Sequence, residues 1–182
     1  MSDDRDHTIA TATVASEETP YGVRINTGGH ALRGDEPVDH GGADTGPAPF
    51  GLLLSGLGAC TAITLRMYAE HQSWPLAGVD VELTYVVKDR NTRWIDRLIT
   101  LHGVDEDQRA KLAEIAEKTP VTRAVRAGTE IRTTTGAAWP VAAHATERPR
   151  QWVCLCHDRA DRRHRGGRGR DERGLAGQAD RG

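Results

Sequence analysis

Aromatic residues are scarce in this 182-residue chain: they make up 4% of it, and Phe50 is the only phenylalanine. Valine, isoleucine and leucine must therefore fill the core, and the length suffices for one domain with a core of its own. No uninterrupted apolar run reaches the ~18–20 residues of a membrane span. The first residues, MSDDRDHT, are acidic and polar, unlike a secretion signal. Cysteine occurs three times, at Cys60, Cys154 and Cys156. Three is not a disulfide framework, so a reducing compartment fits and a cytoplasmic protein is expected, with no membrane partner. Metal-ligand spacing is missing too. His30, Asp35, His40, Asp44 and Cys60 match no closed site. Cys154-Leu155-Cys156-His157 lacks the usual two-residue gap and a second cysteine pair. Neither a metal nor a cofactor is expected.

Charge divides the chain. Residues 1–136 hold 14 Lys+Arg against 20 Asp+Glu, whereas residues 137–182 hold 10 Arg against 6 acids and no lysine. The second part ends in RADRRHRGGRGRDERGLAGQADRG, in which Leu175 is the only sizeable apolar residue. Such a segment buries too little to offset its ordering entropy and is expected to be a disordered Arg/Gly-rich tail. A basic tail can bind phosphates weakly. The acidic main domain argues against that, and no nucleic-acid partner is expected.

What is present is pattern, and it lies within residues 1–136. HTIATATV (7–14) and YGVRINT (21–27) alternate and are rich in β-branched residues, with a turn over Glu17–Pro20, which predicts a hairpin. A third short strand is expected over Gly29–Arg33. Pro49 then opens a long helix, since proline at the first helical position gives up no needed N–H. Apolar positions at Phe50, Leu53, Leu54, Leu57, Cys60, Leu65, Met67 and Tyr68 cover more than one face, which predicts enclosure on most sides. Trp74-Pro75 stops it. VDVELTYVVK (79–88) places Val79, Val81, Leu83, Tyr85 and Val87 on one face, and WIDRLITL (94–101) is its antiparallel return. Asp105 to Lys118 reads as a second helix, with Asp105 as N-cap and Gln108 completing a capping box. It stops at Thr119-Pro120, and Glu130–Thr134 is the expected last strand. The order ββ(β)–α–ββ–α–β defines an α+β protein with mostly antiparallel sheet.

GHALRGDEP, GGADTGPAPFGLLLSGLGACTAITLRMYAEHQSWPL and DEDQRAKLAEIAEKTPV, in that order over about residues 8–135, resemble the osmotically inducible protein C and organic hydroperoxide resistance (OsmC/Ohr) family. The resemblance implies antiparallel sheets wrapped around a long central helix in an intertwined homodimer, with the site at the subunit interface. It also implies reduction of organic hydroperoxides by a nucleophilic cysteine, in whose place Cys60 stands. The peroxide oxidises that sulfur to a sulfenic acid. In the family a second cysteine, in a Cys-Pro-Val context, resolves it, and a dithiol restores the enzyme. This chain has Thr119-Pro120-Val121 there, and threonine cannot resolve a sulfenic acid. An acidic residue expected just after the helix-opening proline is replaced by Phe50 and Gly51. Arg33 and His40 lie in the right loops, but spacing selects neither as the activating group. Cys60 and Thr119 are thus the two candidate catalytic residues. An external low-molecular-weight thiol or dithiol would then be the resolving partner. Against this stand Cys60 as a small buried hydrophobe, Thr119 as a helix-end hydroxyl, and a non-catalytic dimer that binds an apolar or acyl ligand.

Overall fold

The computed structural model describes residues 8–136. The expected tail at 137–182 and the proposed domain limit lie outside the described residues. The first three strands form an antiparallel sheet in the order β1 (Ala12–Ser16), β2 (Val23–Thr27), β3 (His30–Gly34). Its register puts Val14 opposite Ile25 and Ile25 opposite Leu32, so one apolar row crosses all three strands. Ile25 is buried in that row, while Val14 and Leu32 are exposed.

Helix α1 (Pro49–His71) follows a loop and begins on its proline, as expected. Its end has a local cause. Ser73 adopts a left-handed conformation (φ 56°), the Ser73 N–H donates to the Glu70 carbonyl, and the Trp74 N–H donates to the Ala69 carbonyl at 2.9 Å. This satisfies carbonyls left open by the last turn, and an edge-on contact of the Trp74 and Tyr68 rings (centroids 5.6 Å apart) closes it. By length and composition α1 is also long and apolar enough to cross a membrane. Counting uninterrupted apolar residues hides this, because Ser55, Thr61 and Thr64 break the run. Here α1 is the central core helix, packed on β4, α2 and α3.

Strands β4 (Gly78–Val87) and β5 (Arg93–His102) make the second antiparallel sheet. Alternation along both strands turns Val79, Val81, Leu83 and Tyr85 and, opposite them, Leu101, Ile99, Arg97 and Ile95 toward the helices. Val87, expected on this face, is exposed at the strand end. Gly58 lets α1 approach β4: a methyl group there would lie 3.0 Å from Leu83 Cδ1. Helix α2 (Glu106–Ala116) starts at the expected capping box, in which the Asp105 carboxylate accepts from the Gln108 N–H at 2.8 Å and the Gln108 side chain accepts from the Asp105 N–H at 3.2 Å. Leu65, Leu101, Leu112 and Ala116 form the buried centre where α1, β5 and α2 meet. Burying a leucine there contributes about 1.5–3 kcal/mol.

Two expectations fail at the end of the chain. Thr119-Pro120 does not merely stop α2; it starts helix α3 (Pro120–Ala127), with Thr119 as N-cap and the proline again at the first helical position. A proline reads equally well as a stop or as a start. Residues 130–134 form no strand; they run outward without a ladder partner, and Ile131 is 87% exposed. The expected enclosure of α1 is also incomplete. Leu53, Ile63 and Met67 are exposed, Ile63 at 59%. All three lie on the side of α1 away from β4.

Candidate functional site

Cys60 sits in the middle of α1, is partly buried and forms no disulfide. On a helix its surface neighbours are three and four residues away. Leu57 and Thr64 among them are buried, while Gly56 and Ile63 are exposed. The sulfur therefore stands on the border between the packed side of α1 and its open side. Mid-helix placement gives it little help from the helix dipole, which acts within the first turn.

One residue further on begins the most connected polar group of the molecule. Thr61 is fully buried, and its hydroxyl donates to the Leu57 carbonyl at 2.8 Å. It also accepts from Arg97 Nη1 at 3.1 Å. The same Nη1 donates to Thr122 Oγ1 at 3.0 Å, and Arg97 Nη2 donates to Glu117 Oε1 at 2.8 Å. The Arg97 side chain is only 11% exposed. Arg126 closes the group from outside with an ion pair to the other oxygen of Glu117. Burial pushes the Glu117 carboxyl up, but the bonds from Arg126 and Arg97 outweigh it and hold the group below the usual carboxylate range. Thr119, fully buried, shares a 2.7 Å hydrogen bond with Thr122. Arg97 thus ties the turn of α1 next to Cys60 to the junction of α2 and α3, where Thr119 lies.

The sequence did not single out Arg97, yet its signal was there. In the alternating face Ile95, Arg97, Ile99, Leu101 one charged residue occupies an inward position, and a buried guanidinium must find partners. Arg33 and His40, the other candidates, are engaged elsewhere. Arg33 donates from Nε to Glu17 at 3.0 Å, and His40 lies 3.7 Å from Glu36. The loop that carries His40 is organised by Asp35, whose buried carboxylate accepts from the Thr45 hydroxyl at 2.8 Å and from the backbone N–H groups of Glu36, Ala43 and Thr45. The Thr45 hydroxyl, opposed by burial and aided by those backbone donors, holds the Asp35 carboxyl below its ordinary value. Asp35 serves the loop; among the described residues no group of three or more His, Cys, Asp and Glu is placed to hold a metal ion.

An open groove of about 360 Å³ runs between α1 and β4, lined by Leu54, Ser55, Gly58, Ala59, Ala62, Val81 and Leu83. Its helix residues lie on the β4 side of α1, away from Cys60 in the same chain. The Phe50 and Tyr85 rings meet with centroids 4.6 Å apart, at the end of β4 toward which α1 begins.

The OsmC-like protein family model matches residues 41–134, from the loop before α1 to the end of the described core. This chain belongs to that family. Among solved structures it is similar to the organic hydroperoxide resistance protein OsmC of Legionella pneumophila, with 19% identity over 67% of this chain and 92% of that one and a TM-score of 0.52. It is also similar to an OsmC-like protein of Mycoplasma pneumoniae, with 16% identity over 68% of this chain and 89% of that one and a TM-score of 0.51. At these identities the likeness establishes the fold, including the α+β architecture with antiparallel sheets around a long helix. No curated protein matches the chain.

Proposed function

We propose that this chain is a thiol-dependent reductase of organic hydroperoxides that acts in the cytoplasm as a homodimer, with Cys60 as its only peroxidatic sulfur. The reading rests above all on where Cys60 stands: on the central helix of an OsmC-like fold, at the border of an apolar face that its own chain leaves open. The Legionella relative carries a hydroperoxide resistance name, which agrees with this chemistry. Three uncovered apolar surfaces support a second copy of the chain as partner. They are the outer side of α1 with Leu53, Ile63 and Met67, the row Val14–Ile25–Leu32, and the unpaired segment around Ile131.

In the reaction the Cys60 thiolate attacks the terminal oxygen of ROOH. The O–O bond breaks, an S–OH group forms, and the leaving alkoxide takes a proton and departs as ROH. The sulfur is oxidised and the peroxide reduced. Thr119 offers no second thiol, so an external thiol R′SH condenses with the sulfenic acid, giving a mixed disulfide and water. A second R′SH then releases Cys60 and R′SSR′. In this scheme Thr119 contributes a hydroxyl at the place of a resolving sulfur.

Stopped-flow oxidation of the thiol by tert-butyl hydroperoxide tests the proposal in a chain with Cys154→Ser and Cys156→Ser. A rate well above that of free cysteine, lost in Cys60→Ser, is expected. A rate equal to that of free cysteine refutes the catalytic reading. The missing second cysteine favours one other reading, a non-catalytic dimer that holds an apolar or acyl ligand; thermal stabilisation by fatty acids without any hydroperoxide reactivity would select it.

A further inference from the structure

The Thr119–Thr122 pair contains more hydrogen than its bonds use. Each hydroxyl carries one O–H and can accept through its lone pairs. Their mutual bond uses one of the two hydrogens, and the bond from Arg97 Nη1 occupies a lone pair of Thr122. One O–H is left without an acceptor among the described residues, although Thr119 is fully buried and Thr122 is 4% exposed. A buried hydroxyl hydrogen without an acceptor is costly, so it calls for one close by. The charged donor Arg97 orders the chain: Arg97 donates to Thr122, Thr122 donates to Thr119, and the hydrogen left over is that of Thr119. Thr61, which receives the other bond of Nη1, already donates to Leu57 and accepts from Arg97. Its neighbour along α1 is Cys60.

We propose that the Thr119 hydroxyl donates its spare hydrogen to the ionised Cys60 sulfur, and that Arg97 is the positioning residue that orients and polarises this donor through Thr122. The inference rests on the reading of Cys60 as the nucleophile and adds a group that favours its thiolate. The chain of hydrogen bonds also gives the threonine in the place of a resolving cysteine a task of its own: it stabilises charge on sulfur where a thiol would capture a sulfenic acid. The other charged groups at this junction are Glu117 at the end of α2, Arg123 and Arg126 on α3, and Arg66 on α1 itself; Asp80 and Glu82 of β4 point outward. Glu117 is already taken by Arg97 and Arg126.

The test is the pH profile of Cys60 alkylation by iodoacetamide in the full chain carrying Cys154→Ser and Cys156→Ser. Thr119→Val keeps the shape and removes the hydroxyl. Its profile should move to higher pH by roughly half a unit, which is about a threefold loss of alkylation rate near neutrality. Thr119→Ser should restore the parent profile, and Arg97→Met should shift it in the same direction as Thr119→Val. A folded Thr119→Val variant with the parent profile overturns the proposal, as does a Thr119→Ser variant shifted as far as the valine variant. Should Arg97→Met fail to fold, the valine and serine variants decide alone. Hydroperoxide oxidation is read separately. A shifted profile in a chain inert to hydroperoxide ends the peroxidase reading and leaves the hydrogen bond standing. Rapid oxidation with an unmoved profile does the reverse.

Discussion

The two halves of the molecule differ in how they satisfy their own surfaces. Around the inner side of α1, the strands β4 and β5 and the helices α2 and α3 enclose a leucine-rich centre, and even the buried Arg97 has partners for both of its terminal nitrogens. The N-terminal sheet shows the opposite. Its strands pair with one another, yet Val14 and Leu32 of its apolar row stay exposed, as do Leu53, Ile63 and Met67 on the outer side of α1. The first region is finished within one chain; the second is built to be covered. Cys60 lies on the line between them, where a rigid turn of helix meets a surface that a partner would close.

The largest effect separating the two regions is expected in the finished one. Leu65→Ala removes a fully buried side chain from the central cluster and should cost about 3 kcal/mol in urea unfolding, independent of protein concentration. A similar loss from Leu32→Ala, on the exposed row, would mean that the second region is also closed in solution. Arg97→Met comes next. It leaves Glu117 paired with Arg126 but removes the donor shared by Thr61 and Thr122, and about 2 kcal/mol should be lost. A neutral result would show that the network contributes orientation and no stability. On the open side, Ile63→Glu should leave the folded chain intact and weaken self-association about tenfold, roughly 1.4 kcal/mol, as measured by analytical ultracentrifugation. An unchanged association constant would place the contact on another face.

The smallest effect is the pH response of the ion pairs. Glu117 has a folded pKa below its ordinary value of 4.5, so its contribution is fully present above that value and is lost as the pH falls through the lowered folded pKa. Asp35 behaves alike from its ordinary 3.8 downward. Stability should hold above pH 5 and decline below about 4.5. Glu117→Gln should flatten that decline slightly, since the group lies partly in water.

Much of this arrangement was legible in the residues. Strict alternation marked β4 and β5, the Asp105–Gln108 pair marked the start of α2, and Pro49 marked α1 to the residue. The failures share a physical cause: local pattern does not say what lies across a gap. Pro120 both ends one helix and starts another, and only packing on α1 decides for α3. EIRTT (130–134) has strand character but finds no ladder among the described residues. Apolar residues all round α1 suggest enclosure equally well whether the cover is the same chain or a second one. For the site, the family pattern marked Cys60 and Thr119, but Arg97, the link between their elements, was hidden in a strand read for its apolar positions alone.

Intact-mass spectrometry after one equivalent of tert-butyl hydroperoxide, in the chain with Cys154→Ser and Cys156→Ser, tests most directly whether Cys60 reacts as a peroxidatic sulfur. The expected product carries one added oxygen, trapped at Cys60 by a sulfenic-acid reagent and returned to the thiol by an added dithiol. A Cys60 left unmodified while the peroxide persists would contradict it.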